Sequence, residues 1–280
     1  MKNVQYFLFS ITFLLVTFSA CTKDEVETAE HGQFSLNFDN MVGANELALT
    51  EETNNTFPYE NEQGQTFNIQ TLGYYISRIE LTGPNGEYYE DEVTTGPMSE
   101  EVKGFYHILE SDISTHLLTL DNVPTGTYNQ VTFTLGVEAD YVQQGATGGV
   151  LDPANGGWLW NWDAGYIGWA YEGRSPASPA VAGTFNPDNS VKAHIGGWKE
   201  ITGNPAMTNN VKRITLDFPS SADVTEGGNP NAHIVMDLLE ALDGHHQVDF
   251  STTYAIHTPS AGVDIAHNLE TAFRVDHIHL

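Results

Sequence analysis

The chain is poor in cysteine and in basic residues, and both shortages narrow its range of functions. Cys21 is the only cysteine among 280 residues, so no disulfide can form within the chain and multi-thiolate metal centres are excluded. Lys and Arg total 10 against 37 Asp and Glu, which gives a formal net charge of −27 at pH 7. This balance argues against nucleic acid and anionic membrane surfaces as partners. It suits cation capture or simple solubility.

The chain also lacks the short motifs of common catalytic sites. It contains no Gly-x-Ser-x-Gly elbow for nucleophilic catalysis, no Gly-x-x-x-x-Gly-Lys phosphate loop and no His-Glu-x-x-His helix. No Asp-x-Asp-x-Asp-Gly calcium loop is present, and no pair of carboxylates stands out for glycoside hydrolysis. We therefore expect a binding protein and not an enzyme.

Long apolar runs are absent except near the start of the chain. An apolar run from Tyr6 to Phe18 leads to Ser-Ala and then to Cys21. This run is too short to cross a bilayer, which takes about 20 apolar residues. Small residues directly before a cysteine resemble a bacterial lipobox, which predicts a signal peptide over residues 1–20 and lipidation of Cys21. The alternative is an uncleaved anchor helix with an incidental cysteine.

The residues after Cys21 indicate where the protein is sent. The sequence Thr-Lys-Asp-Glu at residues 22–25 resembles the export signal of surface lipoproteins in Bacteroidetes-type bacteria. Residues 21–32 are predicted to form a flexible tether. We expect an outer-membrane lipoprotein that lies on the cell surface or on the periplasmic face. Each buried acyl methylene contributes about 0.8 kcal/mol, so several chains hold a soluble domain firmly at a membrane.

Residues 33–280 carry the pattern of one all-β domain. Short segments alternate apolar and polar residues, as in Phe34-Ser-Leu-Asn-Phe38, and Gly, Pro, Asn and Asp separate them. This pattern predicts an antiparallel β-sandwich with few short helices, of which residues 138–144 and 237–242 are candidates. A Gly- and Trp-rich insertion from Gln143 to Pro179 does not fit ordinary strand spacing. Loops of that length usually carry function.

The C-terminal segment Phe273-Arg-Val-Asp-His-Ile-His-Leu280 is the sharpest local signal for metal binding. In a strand, His277 and His279 share a face at a separation of about 7 Å, together with Phe273 and Val275. Asp276 then faces the other way and is a poorer ligand. Two imidazoles at this spacing can converge on one metal ion. The alternative is a pair of solvent-facing histidines at a frayed end.

Two further groups of residues are candidates for function. Trp158, Trp160 and Trp162 alternate and would line one face of an extended segment. Such a strip can form core, stack against a sugar, or lie beside a redox-active metal. His194 precedes two glycines, where backbone can approach closely, although this segment alone favours a strand-end histidine bonded to a carbonyl. The pair His245-His246 is predicted to lie in an exposed turn. The remaining histidines have no companion at ligand spacing: His31, His107, His116, His233, His257 and His267.

Together these segments resemble the MbnP-like family, which comprises secreted or lipid-anchored proteins related to the periplasmic protein encoded beside methanobactin genes. The Trp-x-Trp-x-x-Gly-Tyr motif and the Asp-His-x-His ending are the most specific features. The matching segments are Phe34-Ser-Leu-Asn-Phe-Asp-Asn40, Leu72-Gly-Tyr-Tyr-Ile-Ser-Arg-Ile-Glu-Leu81, Val123-Pro-Thr-Gly-Thr-Tyr128, Val131-Thr-Phe-Thr-Leu-Gly-Val137, Leu151-Asp-Pro-Ala-Asn-Gly156, Trp160-Asn-Trp-Asp-Ala-Gly-Tyr166, His194-Ile-Gly-Gly197 and Val275-Asp-His-Ile-His279.

The resemblance implies a β-sandwich that binds copper. It implies His194, His277 and His279 as the metal ligands, and it implies that Trp160 or Trp162 is oxidised to kynurenine near the metal. A di-haem enzyme of the cytochrome c peroxidase type is the implied partner for that oxidation. Some members place a histidine where this chain has Asn37, so one ligand of the family is absent here.

Three hypotheses follow from these observations. The first is a copper-binding envelope lipoprotein that acts in copper acquisition or handling, based on the histidines. The second is a surface lipoprotein that binds glycan or another ligand through the Trp strip. The third is a structural surface domain in which the aromatic residues form core.

Overall fold

The computed structural model describes residues 30–95, 102–143, 148–161, 163–183, 187–200, 203–205 and 207–280. The predicted signal peptide, Cys21 and Trp162 lie outside the described residues. The strands are β1 (His31–Val42), β2 (Asn45–Glu46), β3 (Tyr59–Glu60), β4 (Thr66–Thr82), β5 (Tyr88–Glu90), β6 (Phe105–Leu109), β7 (Leu117–Pro124), β8 (Gly126–Leu135), β9 (Leu159–Asn161), β10 (Gly165–Arg174), β11 (Ser190–Gly196), β12 (Lys212–Val224), β13 (Asn231–Asp237), β14 (Ala255–Ile256) and β15 (Phe273–His279). The α-helices in these ranges are α1 (Ala139–Gln143), α2 (Leu238–Asp243) and α3 (Val263–Asn268).

These strands form two sheets. The smaller sheet has the order β15-β13-β1-β2, and β7 also pairs with β1. The larger sheet has the order β12-β8-β4-β10-β11-β14, with β3, β5 and β6 paired to β4 and β9 paired to β10. Most pairs are antiparallel, as predicted, but β1 with β13 and β11 with β14 are parallel. Both parallel pairs join strands that are distant in sequence, because a parallel pair needs a long crossover connection.

The two sheets pack face to face over one apolar core. Phe38 of the smaller sheet contacts Tyr74 and Phe133 of the larger sheet edge to face, with ring centroids 6.1 and 6.0 Å apart. Phe273 of β15 contacts Tyr74 in the same way at 5.5 Å. Such edge-to-face pairs add about 0.5–1.5 kcal/mol each beyond the area that they bury. The prediction of a β-sandwich is confirmed.

Several local features of the sequence have the expected structure, whereas one helix was not predicted and the end of the predicted tether differs. The Pro84-Asn-Gly86 turn joins β4 to β5 as an antiparallel hairpin, with Gly86 at a φ of +97° that only glycine adopts easily. Helices α1 and α2 lie where they were predicted, whereas α3 was missed. The sequence also predicts a strand at residues 164–171 within the insertion from Gln143 to Pro179, and β10 confirms it in the middle of the larger sheet. Strand β1 begins at His31, inside the predicted tether.

None of the helices in the described ranges has the length and apolar character needed to cross a membrane.

Candidate metal centre

A β-bulge in the last strand decides which way the C-terminal histidines face. Strands β13 and β15 pair His233 with His277 and Ile234 with Val275, which leaves Asp276 as an extra residue on β15. A bulge of this kind shifts the alternation of side chains by one position. Val275 therefore packs against the core, whereas His277 lies on the outer face of the smaller sheet opposite His233.

The bulge corrects two predictions from the sequence. Phe273 is 4% exposed and Val275 packs against the core, so neither shares a face with the histidines as predicted. Asp276 was predicted to point away from them, but its Oδ2 lies 2.7 Å from Nδ1 of His277. Strict period-two alternation fails here because the extra residue, Asp276, places the side chains before and after it on opposite faces of the sheet.

The two C-terminal imidazoles converge as predicted. Nε2 of His277 lies 2.7 Å from Nε2 of His279, and their rings are perpendicular with centroids 4.3 Å apart. His233 adds a third imidazole, with its ring 4.7 Å from that of His277. Ligand atoms of His233, Asp276 and His277 all lie within 4.8 Å of one another, and this is the only such group of three among the described residues.

The hydrogen bond between Asp276 and His277 fixes the tautomer and the orientation of the His277 ring. Nδ1–H of His277 donates to Asp276, so the lone pair of its Nε2 faces His279 and accepts from Nε2–H of that ring in the metal-free chain. The same hydrogen bond holds the pKa of the Asp276 carboxyl below its ordinary value. A carboxylate that orients a histidine through its far nitrogen is a common partner of histidine ligands in metal sites.

His233 contributes a nitrogen that has no partner in the described part of the chain. Its Nδ1 is buried and unpaired, whereas its Nε2 lies 3.5 Å from Oδ2 of Asp39. A buried nitrogen without a partner costs free energy unless a ligand or a water satisfies it. The donor set therefore fits a metal ion. Sequence spacing could not reveal His233, although its outward position in a predicted strand was a usable signal.

Asn37 lies in the same row of the sheet. Strand β1 pairs Asn37 with His233, and β13 pairs His233 with His277. The position at which some relatives were expected to carry a histidine is thus aligned with two of the three imidazoles described above.

His194 does not join this group. It lies on β11 of the larger sheet, where its Nε2 is 2.7 Å from Oε1 of Glu172 and its Nδ1 is 3.3 Å from Nδ1 of His257. The partner of its ring is thus a carboxylate and not a backbone carbonyl. The hydrogen bond from His194, helped by Lys192, lowers the pKa of Glu172 to about 2. Burial lowers the pKa of His257, and the neighbouring His194 and Lys192 lower it further.

The described tryptophans of the strip lie in different surroundings. Trp160 borders an open cleft of about 240 Å³ together with His257 and Met207. Its ring also covers Gly196, where an added Cβ would come within 3.2 Å of it, so Trp160 lies beside the strand that carries His194. Trp158 packs edge to face against His107, with centroids 4.5 Å apart. The indoles of Trp158 and Trp160 are half-buried and do not form one exposed platform.

A match to a family model agrees with the resemblance seen in the sequence. The MbnP family model matches residues 31–260, a range that contains His194 and Trp160 and ends before His277 and His279. A solved structure, MbnP from Methylosinus trichosporium, is similar over 76% of this chain and 78% of that chain, with 15% sequence identity and a TM-score of 0.46. No curated protein matches the chain. Because the family model spans most of its length, the chain belongs to the MbnP family.

Proposed function

We propose that this protein is a lipid-anchored envelope protein that captures copper for acquisition or handling, and that it acts by binding and not by catalysis. The observation that carries the proposal is the convergence of His277 and His279, whose Nε2 atoms lie 2.7 Å apart, beside His233. Membership of the MbnP family supports a link to copper and methanobactin.

The donor set matches the chemistry of copper. Imidazole nitrogen binds Cu(II) more tightly than it binds the other divalent first-row ions, and no thiolate is needed. His277 and His279 would hold the ion, and His233 would supply a third nitrogen. Asp276 orients His277 and keeps a proton on its Nδ1. The net charge of −27 raises the local concentration of cations around the whole molecule.

Trp160 is the candidate for oxidation to kynurenine that the described residues support, since Trp162 lies outside them. It borders a cleft with His257, which in turn contacts His194, so an oxidisable indole lies beside a second pair of imidazoles. We therefore assign His194 to this pair and not to the C-terminal group. The di-haem partner enzyme remains part of the proposal. The mass of the protein from its native host tests whether the tryptophan is oxidised, because conversion of tryptophan to kynurenine adds one oxygen and removes one carbon.

Copper binding after removal of the C-terminal imidazoles is the decisive experiment. The double variant His277→Ala, His279→Ala should lose one copper ion per chain relative to the parent in equilibrium dialysis. His31→Ala is the matched control, since His31 is also an exposed strand histidine, and it should bind copper as the parent does. Unchanged stoichiometry and affinity in the double variant would reject the proposal.

Glycan binding through the Trp strip has less support. Trp158 packs against His107, so the two described tryptophans of the strip, Trp158 and Trp160, do not offer the continuous exposed face that stacking on a polysaccharide requires. A change in tryptophan fluorescence on addition of polysaccharide would favour this alternative over copper capture.

A further inference from the structure

A separate group of imidazoles lies where the loop after α2 meets α3. Nε2 of His246 lies 2.9 Å from Nδ1 of His267, and His245 stacks on His267 with ring centroids 4.6 Å apart and a tilt of only 10°. His246 and His267 are far apart in sequence, so spacing alone could not pair them. The proposed copper site uses neither residue.

A buried asparagine holds this arrangement in place. Asn268 is fully buried, and its side chain accepts a hydrogen bond from the backbone N–H of His246 at 2.8 Å. The same side chain donates to the carbonyls of His246 at 2.7 Å and of Ala241 at 3.0 Å. Because Asn268 directly follows His267, it clamps the backbone of one imidazole to the helix that carries the other. The backbone segments that carry the two rings are therefore held together before any ligand arrives.

The surroundings favour a lone pair on the His246 nitrogen that faces His267, which accepts from His267 until a metal ion replaces that hydrogen bond. Oδ1 of Asp264, one turn earlier on α3, lies 3.7 Å from Nδ1 of His246, which is the ring nitrogen that does not face His267. A carboxylate there favours a proton on Nδ1 and leaves the Nε2 lone pair directed at His267. His245 covers one face of the His267 ring and restricts its rotation.

The distance between the two nitrogens selects a coordination geometry. With metal–nitrogen bonds of about 2.0–2.1 Å, two nitrogens 2.9 Å apart subtend an angle of roughly 90° at the metal. A tetrahedral ion would need the nitrogens about 3.3 Å apart. Right-angled nitrogen pairs suit the tetragonal and square-planar sites of Cu(II) and Ni(II).

We propose that His246 and His267 form a second transition-metal site that takes Cu(II) or Ni(II) as a cis pair of imidazole ligands. His245 and Asp264 position the two rings without binding the ion. The site draws two exposed segments together, so a bound ion also crosslinks the α2 loop to α3.

Titration with Ni(II) in a chain that already lacks the C-terminal pair tests the proposal. The full chain carrying His277→Ala and His279→Ala is compared with the same chain carrying His246→Ala and His267→Ala in addition. Calorimetry should show one Ni(II) fewer per chain, or an affinity at least about tenfold lower, in the second protein. Adding His31→Ala to the first protein instead should change neither value. Equal stoichiometry and affinity with and without His246 and His267 would overturn the proposal.

Two further measurements separate binding from folding. His267→Gln keeps the size and polarity of the side chain, and it should produce the same loss of Ni(II) while the thermal midpoint of the metal-free chain stays unchanged. Electron paramagnetic resonance of added Cu(II) should show two equivalent nitrogen couplings at this site, which disappear with His267→Gln. Persistence of these couplings in that variant would overturn the proposal. Because both titrated proteins lack the C-terminal pair, failure here does not bear on the proposed copper site.

Discussion

At the residue scale, one side chain on the outer face of the smaller sheet determines how many nitrogen ligands are available. Asn37, His233 and His277 are directly paired across three neighbouring strands, so the row holds two imidazoles and one amide. An amide oxygen is a weaker ligand than imidazole for copper. The identity of residue 37 therefore sets how many nitrogen ligands the row can offer.

Replacing Asn37 with histidine should strengthen metal binding. The new imidazole would enter the row beside His233, and copper affinity should rise about tenfold, or about 1.4 kcal/mol, in a chelator competition assay. Met41→His is the control, because Met41 lies on the same strand and the same face but pairs with Asp237. Equal gains in affinity in both variants would show that any added histidine on this face strengthens copper binding, whether or not it lies in the row with His233 and His277.

At the scale of the element, β15 shows both the reach and the limit of sequence reasoning. Its strand character and its converging histidines were predictable from local spacing. The face of the sheet on which each of its side chains lies was not predictable, because strict alternation placed Phe273 and Val275 on the same face as the histidines. The apolar residues that pack on the core are Phe273, Val275 and Ile278, and the step of three between the last two marks the bulge.

Deleting single residues from β15 tests whether Asp276 is the extra residue of the bulge. Removal of Asp276 removes the extra residue, so Val275 stays inward and His277 and His279 stay outward. The free energy of unfolding should change by less than about 1 kcal/mol. Removal of Arg274 shifts one side of the strand by a position and forces a core residue outward. We expect that deletion to cost about 3 kcal/mol or more in urea denaturation. Comparable losses in both chains would contradict the bulge as described.

The pairing of β10 with β11 makes a second prediction at this scale. Glu172 lies opposite Lys192 and accepts a hydrogen bond from His194, and these contacts lower its pKa from 4.5 to about 2. A carboxyl with a depressed pKa in the folded state stabilises the protein above its unfolded pKa and loses that contribution as the pH falls. The contribution should therefore be complete at pH 6 and disappear between about pH 4.5 and pH 2.

Glu172→Gln should lower the free energy of unfolding by about 2 kcal/mol at pH 6, after allowance for the partial exposure of the side chain. The difference from the parent should shrink towards zero as the pH approaches 2. Urea denaturation at several pH values measures it, with Glu46→Gln on the exposed strand β2 as the control. A difference that does not change with pH would show that Glu172 acts through packing and not through its charge.

At the scale of the whole molecule, the fold brings histidines together, and most of them are far apart in the sequence. Among the described residues, ring nitrogens of two histidines lie within 3.5 Å of each other in three pairs, which are His277 with His279 at 2.7 Å, His194 with His257 at 3.3 Å and His246 with His267 at 2.9 Å. Only the first pair was visible from spacing, since its members are two residues apart in one strand. The other two depend on strand order and on the docking of α3, which periodicity does not reveal. The sandwich itself was predictable, because alternation and turn residues are local signals.

The proposed membrane attachment also concerns the whole molecule, and one substitution distinguishes a lipid anchor on Cys21 from an uncleaved apolar helix. If Cys21 carries acyl chains, Cys21→Ser removes the attachment and the signal peptide is no longer cut before residue 21. Metabolic labelling with a radioactive fatty acid should then mark the parent and not the variant, while Thr22→Ser, the neighbouring control, should be labelled as the parent is. An uncleaved apolar helix would hold both chains equally without any label. Unlabelled parent protein of unprocessed mass would therefore contradict the lipoprotein and favour the anchor helix.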